Sequence, residues 1–151
     1  MVNGTDKSIS LHWPIFCFGM LLLMISLSQH VFQTINPEGD FEDRCLGWEA
    51  LLVGWFSMLT GNLAWLANPL MIGVAALMRF KMWGEALAVA SIAVGCSLMT
   101  FLWYKPFQTG EEFEHVLLVG AWFWFAAIAS VWFSSFVAWR HQFPVPTAET
   151  D

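Results

Sequence analysis

The sequence predicts an all-α membrane protein, an antiparallel bundle of four transmembrane helices whose second helix is kinked at Pro69. The first observation is composition: 58% of the 151 residues are hydrophobic and only 12% are charged. A soluble domain has roughly 45–50% apolar and about 25% charged residues. The second observation is that four apolar segments each reach the length of about 20 residues that a membrane-spanning helix needs.

The predicted spans cover residues 13–35, 46–78, 85–104 and 116–139, and together form one transmembrane domain over residues 13–139. The first span is longer than the apolar part of a signal peptide and no small-residue cleavage site follows it, so we expect it to be retained. Residues 1–12 form a short N-terminal segment, and the polar, proline-containing tail 140–151 is expected to be disordered.

The distribution of basic residues predicts the orientation of the chain. One side of the predicted bundle carries Lys7, Arg79, Lys81 and Arg140, and the other carries Arg44 and Lys105. Because lysine and arginine favour the cytoplasmic side, both termini are expected in the cytoplasm. The net charge of −6 offers no basic surface for nucleic acid, so the expected partner is the lipid bilayer.

Small side chains recur at intervals of three and four along the second span. This helix-packing stripe consists of Gly47, Ala50, Gly54, Ser57, Gly61, Ala64 and Asn68. Small residues let helix backbones approach closely in lipid, where close packing is a main source of association energy. The 3.5-residue period predicts a left-handed crossing with a neighbouring helix.

Two asparagines and a proline interrupt the second span. Pro69 has no amide hydrogen, so a continuous helix would leave the carbonyl of Trp65 without its donor. The sequence therefore predicts a kink between Trp65 and Pro69, with Asn62, Asn68 and Pro69 forming a polar notch. The notch is interpreted as a packing device or, alternatively, as a hinge or a binding surface.

Other polar residues collect at the predicted outer end of the bundle. This outer polar patch comprises Ser26, Gln29, His30, Gln33 and Glu49. Ionisable groups within a membrane span mark proton pathways and voltage sensors. The middle of each predicted span carries none, which argues against both functions.

The four histidines form two levels, with His12 and His141 near the inner surface and His30 and His115 near the outer surface. Paired histidines on two helices can ligate haem, so a haem-binding cytochrome is one alternative. Histidines without a ligand are the favoured interpretation, and no metal or cofactor is predicted.

Three cysteines, Cys17, Cys45 and Cys96, match no CxxC pair or zinc motif. A disulfide framework is therefore not predicted. A weaker metal-site alternative combines His30, Cys45, Glu49 and His115.

Three stretches rich in glycine, alanine and tryptophan carry a resemblance to known proteins: CLGWEALLVGWF (45–56), GNLAWLANPL (61–70) and GAWFWFAAIAS (120–130). They resemble a group of small, uncharacterised bacterial four-span proteins, in which a GW-rich segment leads into an AWLANP-like core. The resemblance covers about half of the chain and implies a multi-pass protein of the bacterial inner membrane. It implies no activity and no functional residues.

The sequence contains no GxSxG, HExxH, P-loop or Rossmann signature, so we do not expect an enzyme. The favoured hypothesis is an accessory or regulatory subunit that contacts itself or another membrane protein through its helices. The first alternative is an oligomeric small transporter or channel that uses the Asn62/Asn68/Pro69 notch. The second alternative is the membrane cytochrome.

Overall fold

The structure, a computed structural model, describes residues 11–35, 41–102 and 114–142. Within these ranges the chain is mostly helical. Its elements in chain order are α1 (His12–Ser28), β1 (His30–Ile35), β2 (Phe41–Leu46), α2 (Gly47–Val53), a 3-10 helix (Gly54–Thr60), a second 3-10 helix (Ala64–Leu66), α3 (Ala67–Arg79), α4 (Trp83–Leu102), β3 (Glu114–Leu117) and α5 (Val119–Arg140). The predicted tails, residues 1–10 and 143–151, lie outside the described residues.

Helices α1 and α5 pack against each other in opposite directions. At one end the Ser26 hydroxyl donates to the carbonyl of Gly120 over 2.8 Å. At the other end the Ser134 hydroxyl donates to the carbonyl of His12 over 2.6 Å. Both serines are almost fully buried. Each hydroxyl thus satisfies a carbonyl of the partner helix and fixes the register of the pair.

Helices α3 and α4 pack against each other and against α5, and we call α1, α3, α4 and α5 together the bundle. Asn68 bonds to Trp124 near the start of α5, and Met78 contacts the Ser135 hydroxyl further along it, so α3 runs parallel to α5. Helix α4 returns antiparallel after the short turn that follows Arg79. The four helices alternate in direction along the chain.

The core between these helices is built from alanines and flexible side chains. Alanines at spacings of three and four along α4 are fully buried, which allows its neighbours to approach closely. Methionines fill the remaining irregular space. The core residues are Phe16, Ala67, Met71, Val74, Met78, Ala86, Ala90, Ala93, Ile128 and Val131.

A three-stranded antiparallel sheet caps the end of the bundle where α1 ends and α2 and α5 begin. Strand β1 is central, with β2 on one side and β3 on the other. Phe32 pairs with Cys45 of β2 and with Leu117 of β3. No strand is predicted from the sequence. The first predicted span, 13–35, is therefore helical only to Ser28, and the fourth, 116–139, becomes helical only at Val119.

The predicted continuous helix over residues 46–78 does not form. Helix α2 ends at Val53, the 3-10 helix ends at Thr60, and the chain then reverses. The reversal returns Trp65 to Leu51, whose carbonyl accepts the indole N–H over 2.7 Å. In a straight helix these residues would lie about 21 Å apart at 1.5 Å per residue. We call residues 47–66 the folded-back segment.

Local backbone chemistry explains the reversal. Gly61 has φ 87°, a left-handed conformation that glycine adopts without strain and that commonly ends helices. The Asn62 side-chain oxygen then accepts the amide hydrogen of Ala64 over 2.9 Å, which starts the next turn. Pro69 is the third residue of α3, in the first turn, where its missing amide hydrogen breaks no helical bond. The predicted kink at Pro69 is therefore replaced by a helix start.

Two helices are long and apolar enough to cross a membrane: Trp83–Phe101 and Val119–Arg140. The stretches His12–Ser28 and Ala64–Arg79 are also apolar but shorter. By length and composition, two helices among the described residues could therefore span a membrane, whereas four spans were predicted from the sequence.

Close backbone contacts at two glycines give a test of this fold. A side chain at Gly47 would meet the carbonyl of Ser26, and one at Gly120 would lie 2.7 Å from the carbonyl of His30. We expect Gly47→Ala and Gly120→Ala each to destabilise the protein by about 1–3 kcal/mol, as overpacking does. Thermal unfolding in detergent measures the effect. Gly95→Ala is the control, because nothing lies within 4 Å of the added carbon.

Equal unfolding midpoints for all three glycine variants would contradict the packing of α2 against the end of α1 and of α5 against the start of β1. The control should be neutral or stabilising, since alanine is favoured over glycine within a helix by about 1 kcal/mol.

Candidate functional site

A partly open cavity of about 540 Å³ lies between the sheet and the bundle. Its walls come from the end of α1, the sheet, the folded-back segment, the starts of α3 and α5, and Thr100 of α4. Small-molecule sites typically occupy about 300–1,000 Å³. The cavity is therefore large enough to be a binding site.

Aromatic and aliphatic side chains form most of the cavity wall. The aromatic residues are Phe32, Phe56, Trp65, Trp124 and Phe125. The larger aliphatic residues are Leu27, Val31, Leu51, Val53 and Leu117. This lining suits an apolar molecule, because it offers burial of hydrocarbon surface and few groups with which to orient a polar one.

The Asn68 amide is the centre of the polar contacts in the cavity. Its oxygen accepts the indole N–H of Trp124 over 2.9 Å, and its nitrogen donates to the carbonyl of Trp65 over 3.3 Å. One side chain thus links α3, α5 and the folded-back segment. It also satisfies the carbonyl that the sequence analysis expected Pro69 to leave without a donor.

The residues of the predicted polar notch are partly brought together. Asn62 and Asn68 both line the cavity. Pro69 follows Asn68 in α3 but is not part of the wall. The Asn62 oxygen is bonded to the backbone of Ala64. Both amides therefore hold the chain in its folded-back conformation, which the sequence analysis did not anticipate.

The predicted helix-packing stripe does not lie on one helix face, because the chain reverses at Gly61. Gly47 contacts the backbone of α1, and Gly54 lies against the Trp65 ring. The residues of the stripe that line the cavity are Gly47, Ala50, Gly54, Ala64 and Asn68. The side chain of Ser57 lies outside the described residues.

The outer polar patch lies at the sheet end of the bundle, but its members have different environments. Ser26 is buried against α5, whereas Gln29 and His30 are exposed. Gln33 is buried on β1 and its side-chain nitrogen has no hydrogen-bond partner. The Glu49 carboxylate accepts the amide hydrogen of Leu46 over 2.8 Å, which caps the start of α2.

Cys45 is the one cysteine in the cavity wall. Burial raises the pKa of its thiol, and the nearby negative charge of Glu49 raises it further. A thiol with a raised pKa stays protonated at neutral pH and is a weak nucleophile. The site therefore holds Cys45 as a small apolar side chain.

The histidines do not converge in the described structure. His12 is buried, with its ring 4.9 Å from that of Trp83, and its Nε2 has no partner. His30 is exposed on β1, and His141 is exposed just beyond α5. The side chain of His115 lies outside the described residues. No group of three or more histidine, cysteine or acidic side chains suited to a metal ion occurs among the described residues.

Comparison with known proteins finds no matching family model, no matching curated protein and no matching solved structure. The residues of the site form a largely apolar cavity with a hydrogen-bond network centred on the Asn68 amide at its wall.

The Asn68–Trp124 bond can be tested with a double-mutant cycle. Asn68→Leu leaves the Trp124 indole and the Trp65 carbonyl without this partner, which should cost about 1–3 kcal/mol. Because Trp124→Phe removes the same bond, the double variant should be less destabilised than the sum, by about 1 kcal/mol. Unfolding free energies measure the coupling.

Trp132→Phe provides the matched control, since its indole on the same helix bonds instead to Ser91. Combined with Asn68→Leu it should be additive. If the destabilising effects of Asn68→Leu and Trp124→Phe are also additive, the Asn68–Trp124 bond contributes nothing to stability.

Proposed function

We propose that this chain is a small integral membrane protein of four spans that acts by binding, as an accessory or regulatory subunit without enzymatic activity. In this proposal α1, α3, α4 and α5 cross a bacterial inner membrane and both termini face the cytoplasm. The sheet then lies at the outer surface. Helices α4 and α5 support the proposal by their length and apolar composition.

The shorter helices are compatible with crossing. Helix α1 has 17 residues, the lower end of the range of about 17–25 seen for spanning helices. A short span is accommodated by local thinning of the bilayer at modest cost. The stretch Ala64–Arg79, which runs alongside α5, is of similar length.

The sheet supports a location at the membrane surface. Exposed strand edges are not tolerated in hydrocarbon, because their backbone groups would lack hydrogen-bond partners. The exposed Gln29, His30 and Arg44 are polar or charged, as expected for groups in contact with water or lipid headgroups. The sheet end is therefore proposed as the end of the bundle that faces water and lipid headgroups.

The observation that carries the binding function is the outward face of the folded-back segment. Large apolar side chains on this face are exposed over about half of their surface or more, and the ring centroids of Trp55 and Phe56 lie 3.8 Å apart in a stacked arrangement. The exposed set is Trp48, Leu52, Val53, Trp55, Phe56 and Leu59. An apolar, aromatic surface of this kind is typical of contact with lipid or with another membrane protein.

The cavity chemistry favours binding over catalysis. The amides of Asn62 and Asn68 are engaged with the chain itself, and the Cys45 thiol has a raised pKa. An oligomeric transporter remains the alternative proposal, supported by both asparagines lining the same cavity. It is the weaker one, because these amides maintain the backbone reversal.

Labelling with a membrane-impermeant maleimide tests the four-span topology. In a variant whose native cysteines are replaced by serine, Arg44→Cys should react in intact cells. Lys81→Cys and Gln142→Cys should react only after permeabilisation, because the α3–α4 turn and the end of α5 are proposed to face the cytoplasm. Reaction of Lys81→Cys from outside would contradict the proposed crossings of α3 and α4.

Native mass spectrometry in mild detergent tests the accessory function. The wild type should show a mass above the 17.1 kDa of one chain, through a second copy or another polypeptide. Replacing Trp55 and Leu59 with alanine should reduce this assembly, because these side chains project from the proposed contact face. Ile72→Ala with Phe133→Ala is the control, since both residues are exposed on the bundle itself.

A wild-type protein observed only as a bare single chain would contradict the accessory function. Equal loss of assembly in the control variant would show that the folded-back segment is not the contact surface.

A further inference from the structure

We propose that the cavity beneath the sheet binds one hydrocarbon chain of a membrane lipid. This proposal rests on the proposed location in a bilayer, and adds a ligand to a cavity that borders the proposed contact face at Val53 and Phe56. Three features of the cavity carry it: the state of its polar atoms, the position of its opening and its size.

Three side-chain donors in the cavity wall are engaged within the chain. The Ser26 hydroxyl, the Trp65 indole and the Asn68 amide donate to the carbonyls of Gly120, Leu51 and Trp65 respectively. Among the described residues, the buried side-chain atoms without a partner belong to His12 and Gln33, and neither residue lines the cavity. An occupant receives apolar contact and is not required to supply hydrogen bonds.

Water is a poor occupant for such a space. A buried water needs two to four polar partners, and cavities lined by apolar side chains stay dry. A hydrocarbon occupant gains from burial of its surface and restores the dispersion contacts that an empty cavity of this volume would forfeit. The lining therefore selects for an apolar chain.

The cavity opens towards the surface that faces lipid. Val53 and Phe56 belong to its wall, yet 61% and 53% of their surfaces are exposed. They continue outward into the apolar face formed by Leu52, Trp55 and Leu59. A lipid chain can therefore enter from the bilayer without contact with water.

The dimensions and the wall favour a flexible chain. The cavity of about 540 Å³ lies in the middle of the range for small-molecule sites. It is bounded by the two indoles of Trp65 and Trp124, which are fixed by hydrogen bonds. A saturated or singly unsaturated acyl chain can adapt to such a wall, whereas a rigid polar ring would find no free donor among these groups.

Photolabelling tests the proposal directly. The purified wild-type protein is irradiated with a phosphatidylcholine that carries a diazirine near the end of one acyl chain, and in parallel with a diazirine palmitic acid. Labelled residues are mapped by peptide mass spectrometry. We expect labels on Leu51, Trp65 and Trp124, in addition to the outward surface.

A cavity-filling variant separates cavity binding from general lipid contact. Ala50→Phe places a ring in the wall of the cavity. It should lower labelling of Trp65 and Trp124 about tenfold, equivalent to about 1.4 kcal/mol of binding free energy. Ala129→Phe is the matched control, because Ala129 is exposed on α5 outside the cavity. Circular dichroism and gel filtration establish that both variants remain folded.

Each outcome bears on the proposal. Cavity labels from the phosphatidylcholine that Ala50→Phe abolishes support a phospholipid chain, and cavity labels from the palmitic acid alone assign the chain to a free fatty acid. Labels confined to outward residues such as Ile72 and Phe133 overturn it. Labelling in detergent does not require assembly with a partner, so its failure is distinguishable from failure of the accessory function.

Discussion

The cavity depends on the contact between Trp65 and the helix that precedes the reversal. The indole ring lies against Gly54, where even a methyl group would be only 2.7 Å from the ring, and its N–H bonds to Leu51. Both contacts require the chain to turn back at Gly61. Without the reversal, the residues that now form one wall of the cavity would extend along a straight helix and leave the space open.

Asn68 connects the folded-back segment to the bundle. Its amide accepts from Trp124 of α5 and donates to the backbone of Trp65, so the start of α3 is tied to both. Interhelical hydrogen bonds in membranes average about 0.6 kcal/mol, because the unfolded chain also finds partners there. The main structural effect of the Asn68 amide is that its hydrogen bonds hold Trp65 and Trp124 in place.

Much of the bundle could be predicted from composition and apolar length. The segments predicted at 85–104 and 116–139 correspond closely to α4 and α5, because continuous apolar runs without proline form helices. Strand β1 was missed because residues 30–35 end an apolar segment, and hydrophobicity alone does not separate a strand from the end of a helix. Strands β2 and β3 were missed because they carry the acidic residues Glu42, Asp43 and Glu114 and lie largely outside the apolar segments. Their pairing depends on residues far apart in the chain.

The reversal was missed although its signals were present. Glycine followed by asparagine is a common stop and start for helices, and proline is tolerated in a first turn. In an apolar run, Gly61, Asn62 and Pro69 were instead interpreted as packing devices within one helix. The contact of Trp65 with Gly54 and Leu51 distinguishes the two interpretations. No local sequence pattern specifies that contact.

The sheet also has a consequence for the order in which the protein is made. The contacts of β1 with β2 are local, whereas Ser26 meets Gly120 across 94 positions of the chain. During synthesis the folded-back segment and β1 exist well before β3 and α5 emerge, and domains generally begin to fold from the N-terminal side. Strand β3 and the wall formed by α5 are therefore added last, after the other walls of the cavity have been made.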